Sequence, residues 1–160
     1  MSDDLRVGTG FDAHGLERGV PLVLGGVRIE HEFGLAGHSD GDVIAHTITD
    51  AILGAANRGD IGSLFPTTPE WQGADSLVLL GRAYEVVCEA GWELVNVDCV
   101  LIGQEPKIAR YRDEMCVRLA AALGVDAGRV TVRATTTDFL GFLGRGEGLA
   151  AQAVALLRRR

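Results

Sequence analysis

One carboxylate and two imidazoles, those of Asp12, His14 and His46, are the side chains best suited to metal chemistry in this sequence. Asp12 and His14 are two positions apart where a strand-like run of residues ends, so both side chains leave the backbone on the same side. His46 follows about one turn into a helical pattern. Two imidazoles and one carboxylate are a recurring ligand set for catalytic zinc, which keeps a fourth position for substrate. From spacing alone, a salt-bridged strand end beside a hydrogen-bonded core histidine fits the pattern equally well.

The segment before that helix has the composition of a phosphate-binding loop. Residues 37–42 read Gly-His-Ser-Asp-Gly-Asp. Small residues that lead into a helix N-terminus leave free backbone N–H groups, and the helix dipole favours an anion there. The side chains of His38 and Ser39 add further donors, so we expect this loop to contact phosphate.

Three polar residues share one face of the same helix. Asp42, His46 and Asp50 are spaced at i, i+4 and i+8, which aligns them. Asp42 therefore either fixes the tautomer of the histidine from behind the metal or is an ordinary first-turn charge. We expect Asp50 to be structural or to act from behind a metal ligand, and not to be a ligand itself.

A third polar cluster lies in the last quarter of the chain. Residues 135–138 read Thr-Thr-Thr-Asp, and a glycine-rich stretch that contains Arg145 follows at residues 141–148. Hydroxyl groups, glycines and one guanidinium are what a diphosphate site requires. Asp138 suits a hard divalent cation such as magnesium. A run of threonines at a strand end also arises from β-propensity alone.

Hydrophobic periodicity and turn residues predict the elements that must position these side chains. The predicted strands cover residues 5–11, 95–102, 129–135 and 148–157, and a hairpin over residues 20–29 turns at Gly25-Gly26. The predicted helices run from Ser39 as N-cap to about residue 57, from residue 75 or 76 to Gly91, and from Pro106 to about residue 123. Residues 60–73 and 135–147 are predicted loops. This order predicts an α+β fold, a single-domain sandwich of a mixed β-sheet with helices on one face.

Length, charge and cysteine content limit the class of protein. The 160 residues are 47% hydrophobic with no break in composition, which indicates one domain, residues 1–160. A net charge of −7 argues against a nucleic-acid partner, and no apolar stretch approaches the ~20 residues of a membrane span. The three cysteines are far apart, which indicates free thiols in a reducing compartment. The acidic start, residues 1–4, does not resemble a signal peptide, so we expect a cytoplasmic protein with no membrane contact.

Taken in order along the chain, the polar segments resemble one family, the 2-C-methyl-D-erythritol 2,4-cyclodiphosphate synthases. The motifs that carry the resemblance are Gly10-Phe11-Asp12-Ala13-His14, Gly37-His38-Ser39-Asp40-Gly41-Asp42, His46 with Thr49-Asp50-Ala51, Gly59-Asp60-Ile61-Gly62 with Phe65-Pro66, Pro106-Lys107, Ala134-Thr135-Thr136-Thr137 and Gly144-Arg145-Gly146-Glu147-Gly148. The resemblance extends from about Arg6 to the C-terminus.

The resemblance implies a role for each matching position. Asp12, His14 and His46 would hold one zinc, or a similar divalent cation, per subunit. His38 and Thr136 would stabilise charge during transfer, as catalytic residues. Asp138 would hold a second divalent cation, magnesium or manganese, together with the substrate. The implied substrate-binding residues are Asp12, His14, His38, Ser39, Asp60, Ile61, Gly62, Phe65, Gly103, Gln104, Glu105, Pro106, Lys107, Ile108, Ala109, Thr135, Thr136, Thr137, Asp138, Phe142 and Arg145.

The resemblance also implies a reaction and an assembly. The 2-phosphate of 4-diphosphocytidyl-2-C-methyl-D-erythritol 2-phosphate would attack the β-phosphate of the same molecule, and CMP would leave. Such a reaction needs two anions to be held together and their charge stabilised, but no protein nucleophile. The implied partners are this small cytidine diphosphate substrate and two further copies of the chain, in a homotrimer with each site between two subunits.

Some positions depart from the family pattern, and two other functions stay open. Asp138 stands where Glu is common, Leu143 replaces a usual Thr, Phe139 is bulky for its place, and residues 65–73 are about one residue shorter than in many members. A zinc-dependent phosphoester hydrolase would release free phosphate from ordinary phosphoesters. A non-enzymatic trimeric module would bind a nucleotide or an isoprenoid diphosphate and turn nothing over.

Overall fold

The computed structural model describes residues 4–160, and its main element is a mixed five-stranded sheet. The strands are β1 (Leu5–Arg18), β4 (Phe33–Leu35), β5 (Trp92–Ile102), β6 (Val130–Thr135) and β7 (Gly148–Arg159), in the spatial order β4-β1-β7-β5-β6. Neighbouring strands are antiparallel except β5 and β6, which are parallel. Apart from Asp4, the acidic start on which the localisation prediction rests lies outside the described residues.

The predicted hairpin is confirmed as a separate two-stranded unit. It consists of β2 (Leu22–Leu24) and β3 (Val27–Ile29). Both turn residues, Gly25 and Gly26, have positive φ, which glycine adopts at little cost and which matches the twist of a two-residue hairpin.

The three long helices pack on one face of the sheet and enclose the core. The helices are α1 (Val43–Ala55), α2 (Ile61–Leu64), α3 (Ser76–Glu89), α4 (Arg112–Leu123) and α5 (Gly141–Gly144). Helix α1 lies across β1, β7 and β5, α3 packs beside α1, and α4 packs beside α3 and β6. The mixed α+β fold is thus confirmed. No helix among residues 4–160 is long and apolar enough to cross a bilayer.

Alternation along β1 separates the two faces of the sheet. Gly8 and Gly10 are buried under α1, whereas the side chains of Val7 and Phe11 on the opposite face are 66% and 62% exposed. Val154 on the neighbouring β7 is exposed on that face as well. The helices therefore cover one face and leave an apolar surface on the other.

Two glycines set the distance between α1 and β1. A Cβ atom on Gly8 would lie 2.1 Å from the carbonyl oxygen of Ala51, and one on Gly10 would lie 2.1 Å from that of Thr47. Any side chain at these positions would push the helix away from the strand. The backbones of β1 and α1 can therefore approach each other closely. β1 carries two of the predicted metal ligands and α1 carries the third.

The predicted boundaries of β1 and α1 are wrong by several residues. β1 continues to Arg18 and does not end at residue 11, because its ladder with β7 persists and β4 then pairs with its far end. The N-cap of α1 is Asp42 and not Ser39, because the Asp42 carboxylate accepts a hydrogen bond from Ala45 N at 3.1 Å. His46 still lies in the first turn of the helix.

The predicted third helix starts too early, and both predicted long loops contain a short helix. Gly103 N still donates to the Thr135 carbonyl at 3.0 Å, residues 104–108 form an irregular turn, and a 3-10 turn covers Ala109–Tyr111, so α4 starts at Arg112 and not at Pro106. In residues 60–73, Asp60 and Ser63 form a capping box that starts α2. Helix α5 lies within residues 135–147.

Candidate functional site

Strand β1 and helix α1 bring Asp12, His14 and His46 together. Nε2 of His14 lies 2.8 Å from Oδ2 of Asp12 and 3.3 Å from Nδ1 of His46. Oδ2 of Asp12 and Nδ1 of His46 are 3.3 Å apart. Ligand atoms at 2.0–2.1 Å from a tetrahedral zinc are about 3.3 Å from each other. Within residues 4–160 this is the one group of three such side chains whose ligand atoms converge. Donor types and spacing therefore fit a zinc ion or a similar divalent cation.

The charges in this cluster favour a bound cation. Burial raises the pKa of Asp12, but its surroundings, above all the hydrogen bond from His14, hold the pKa well below its usual value. The hydrogen bond to Asp12 raises the pKa of His14, even though burial opposes the change. Nδ1 of His14 donates to the Ala36 carbonyl at 2.8 Å, which leaves Nε2 for the cluster. These interactions favour positive charge beside Asp12, which a divalent cation would supply in place of a proton.

The carboxylate of Asp42 bonds to backbone N–H groups and not to the His46 ring, so the prediction that it fixes the tautomer of His46 is wrong. Its fully buried carboxylate accepts hydrogen bonds from Gly25 N at 2.9 Å, Gly26 N at 2.7 Å and Ala45 N. Burial raises the pKa of Asp42 to about 6, although these N–H groups favour the ionised form. It is also more than a first-turn charge, since it fixes the start of α1 to the turn of the β2–β3 hairpin.

The atoms behind His46 belong to two serines. Nε2 of His46 lies 2.8 Å from Ser76 Oγ at the start of α3 and 2.9 Å from Ser39 Oγ. Sequence reasoning predicts Ser39 at the site but not Ser76. A serine at a helix start is ordinarily read as part of a cap, and no spacing links residue 76 to residue 46.

A cavity of about 210 Å³ opens over Asp12, His14 and His46, which we call the metal cluster. Its lining contains Asp12, His14, His38, Ser39, His46, Ile61, Gly62, Phe65, Thr67, Trp71 and Leu79. Nε2 of His38 donates to the Thr68 carbonyl at 2.7 Å, which leaves Nδ1 for a ligand. Asp60 caps α2 and lies outside the lining. Asp50 accepts from Ile61 N at 2.8 Å and is not one of the converging ligand side chains, as expected. Thr67, Trp71 and Leu79 are lining residues that the motifs do not predict.

A second cavity, of about 220 Å³, contains most of the remaining predicted residues. Its lining consists of Leu101, Gly103, Pro106, Lys107, Ile108, Ala109, Arg112, Ala134, Thr135, Thr136 and Leu149. Gln104 lies beside it and connects two loops, because its Oε1 accepts from Thr137 N and Phe139 N, both at 3.2 Å. Glu105 is exposed. Arg112 and Leu149 are additions to the predicted set.

The predicted second-cation residue lies on the surface. Asp138 is exposed, has a φ of 52°, and receives a hydrogen bond from Thr136 Oγ1 at 3.3 Å. Phe142 is 46% exposed. Arg145 forms a salt bridge of 2.8 Å with Glu147. The chain thus brings Asp138 next to Thr136 but brings none of these residues to the metal cluster.

Both cavities lie at the same end of the sheet. His14 pairs with Leu149 on β7, whose neighbour Ala150 pairs with Ile102 on β5, and Ile102 pairs with Thr135 on β6. Three strand spacings of 4.7–4.9 Å separate the two ends of this row by roughly 14 Å. The cavities have no lining residue in common. Within one chain, the predicted site is therefore divided into two halves, which we call the metal half and the nucleotide half after the roles that the sequence predicts for them.

Comparison with known proteins gives a consistent result. The model of the YgbB family matches residues 5–158. A 2-C-methyl-D-erythritol 2,4-cyclodiphosphate synthase from Bacillus pumilus is 53% identical over 157 residues, which cover 98% of this chain and 99% of the relative. A synthase from Rubrobacter xylanophilus is 57% identical over 158 residues, with coverage of 96% and 95%.

Solved structures agree in fold. The IspF–CDP complex from Plasmodium falciparum has a TM-score of 0.87 and 32% identity, and covers 100% of this chain and 99% of that one. The bifunctional IspDF from Campylobacter jejuni has a TM-score of 0.94 and 45% identity; the match covers 98% of this chain but only 43% of the larger protein.

Proposed function

The chain belongs to the YgbB family, and we infer from this membership that it converts 4-diphosphocytidyl-2-C-methyl-D-erythritol 2-phosphate into 2-C-methyl-D-erythritol 2,4-cyclodiphosphate and CMP. It is a lyase of the non-mevalonate isoprenoid pathway. The observation that carries this function is the 53% identity with a curated synthase over 98% of the chain. The predicted family resemblance is confirmed by the same comparisons.

The metal half supports the charge requirements of this reaction. A nonbridging oxygen of the 2-phosphate attacks the β-phosphorus, a new P–O–P linkage forms, and the bond from the β-phosphorus to the oxygen that CMP retains is broken. Asp12, His14 and His46 would hold the divalent cation, zinc or a similar ion, and a cation there would lower the repulsion between the two phosphates. His38 and Ser39 at the same cavity would donate to phosphate oxygens.

The nucleotide half supports binding of the cytidine part of the substrate. The cavity at residues 103–109 and Thr135 has the size of a small ligand site, and the Plasmodium falciparum relative is a CDP complex. Thr136 would donate its hydroxyl to the diphosphate. Asp138, two residues further on, would hold a magnesium or manganese ion that arrives with the substrate.

A homotrimer would join the two halves. One chain separates the halves by roughly three strand spacings, and a second chain packed beside it could bring its own nucleotide half next to the metal half. The apolar surface formed by Val7, Phe11 and Val154 supports such an assembly, because exposed apolar patches mark contact surfaces. We propose that three copies pack through this face, each as one domain of residues 1–160. The three free cysteines are in keeping with the cytoplasm, the location we propose.

Phosphorus NMR of the natural substrate tests the reaction. With zinc and magnesium present, we expect signals of the cyclic diphosphate and of CMP. His46→Ala should abolish the conversion, whereas His31→Ala, which removes an exposed histidine outside both cavities, should not. Inorganic phosphate released from ordinary phosphoesters would identify the hydrolase instead. Binding of CMP without any turnover would identify the binding module.

A further inference from the structure

A buried hydroxyl group behind His46 is not explained by binding of substrate. Ser76 is only 1% exposed, and its Oγ lies 2.8 Å from His46 Nε2, on the side of the ring away from Asp12 and His14. The same Oγ also contacts Oδ1 of Asp40. Ser76 is therefore the middle member of a chain of three polar side chains that ends at a predicted metal ligand.

The direction of the hydrogen bonds in this chain follows from the donors around Asp40. Its Oδ1 accepts from Asp42 N at 3.0 Å, and its Oδ2 accepts from Ser76 N at 3.0 Å. A carboxylate can only accept, and a serine hydroxyl has one proton. Ser76 therefore donates that proton to Asp40, and its Oγ must accept from the His46 ring.

This direction determines where the imidazole proton lies. A neutral imidazole has one N–H, and a proton on Nε2 leaves the lone pair on Nδ1. Nδ1 is the atom that faces Asp12 Oδ2 and His14 Nε2, each at 3.3 Å. We propose that Ser76, held by Asp40, is a positioning residue that fixes His46 in the tautomer and orientation in which Nδ1 binds the metal. The inference rests on the metal site proposed above.

Ser39 limits the expected effect of removing Ser76. Its Oγ is 2.9 Å from the same nitrogen, so it can accept the same N–H. Residues that orient metal-binding histidines typically contribute 10–100-fold to metal affinity. Because one acceptor remains, we expect Ser76→Ala to weaken zinc binding by about tenfold, at the lower end of that range.

The test uses the whole metal-free protein and two measurements that need no substrate. Nitrogen-15 NMR of the histidine rings should show His46 as the Nε2–H tautomer in the wild type and as a mixture of tautomers in Ser76→Ala. Chelator competition should show about tenfold weaker zinc binding for Ser76→Ala. Ser76→Thr, which keeps the hydroxyl, should restore it. Ser63→Ala is the matched control, because this serine also lies at a helix start but makes no contact with His46.

Two results would overturn the role of Ser76. One is an Nδ1–H tautomer of His46 in the wild type. The other is unchanged zinc affinity and an unchanged tautomer in a folded Ser76→Ala protein. If the wild type bound no zinc, the proposed metal site would be wrong, and the tautomer measurement would still decide whether Ser76 orients the ring.

Discussion

Substitution of Gly10 by alanine should separate the two elements that carry the metal ligands. The new Cβ would lie 2.1 Å from the Thr47 carbonyl oxygen and 3.1 Å from Ala51 N, both backbone atoms of α1. A van der Waals contact between carbon and oxygen needs roughly 3.2 Å or more, so the helix and strand must move apart by about 1 Å. No side-chain rotation can relieve the contact.

The shift has a cost in stability and a larger cost at the site. Over-packing of this kind destabilises a protein by about 1–3 kcal/mol. His46 immediately precedes Thr47, so a movement of the helix by about 1 Å would change the distance between His46 and Asp12 by far more than the ~0.2 Å that a metal site tolerates. We expect zinc affinity to fall at least tenfold, out of proportion to the loss of stability.

Urea denaturation and chelator competition measure the two effects separately. Gly54→Ala is the control, since a Cβ there would meet only Thr9 O, at 3.9 Å. Replacement of a helical glycine by alanine should raise the free energy of unfolding by about 0.5–1 kcal/mol and leave zinc affinity unchanged. Wild-type stability and zinc affinity in Gly10→Ala would show that these glycines do not set the position of α1.

Three further predictions concern other parts of the chain. Burial raises the pKa of Asp42 to about 6, so between about pH 4 and that value the folded protein holds a proton that the unfolded chain has released. The free energy of unfolding of metal-free protein should therefore fall as pH rises through this window. Asp42→Asn should have a lower free energy of unfolding, but that energy should depend less on pH. If urea denaturation gave the same pH dependence for both proteins, the raised pKa would not belong to Asp42. Asp138→Ala should raise the magnesium concentration needed for half-maximal rate without changing zinc content, while Asp138→Glu should keep activity. If Asp138→Ala had the magnesium requirement of the wild type, Asp138 would not bind the second cation. Val7→Glu should place charges in the proposed trimer contact and reduce the mass seen by light scattering, whereas an unchanged particle of three chains would show that this face is not the contact.

The sequence predicts the elements better than their ends. Periodic apolar residues identify α1, α3 and the central strands, and paired glycines identify the hairpin. The extension of β1 to Arg18 is not predictable in this way, because it depends on pairing with β7 and β4, strands that are distant in sequence. The same holds for the start of α4, because Gly103 is bound to the end of β6 and an irregular turn follows before the helix begins.

The metal cluster is the part of the site that spacing predicts best. Two alternate positions on a strand necessarily share a face, and one helical histidine then completes the set. Spacing fails for Asp42, because the rotation of its side chain is decided by the N–H groups of a hairpin turn. It fails for Ser76 too, because the contact with His46 joins two helices that no local pattern relates. Arg112 and Leu149 line the second cavity for the same kind of reason.

The position of β7 has a consequence for how the chain folds. This strand pairs with β1 on one side and β5 on the other, so residue 5 meets residue 158. Contacts between residues so distant in sequence slow folding, because a long segment must close before any pairing is gained. During synthesis from the ribosome, β1 and β5 each present an unpaired edge until β7 emerges, and such edges favour aggregation. We therefore expect the nascent chain to stay without its native sheet until β7 has been synthesised, and to rely on protection of these edges until then.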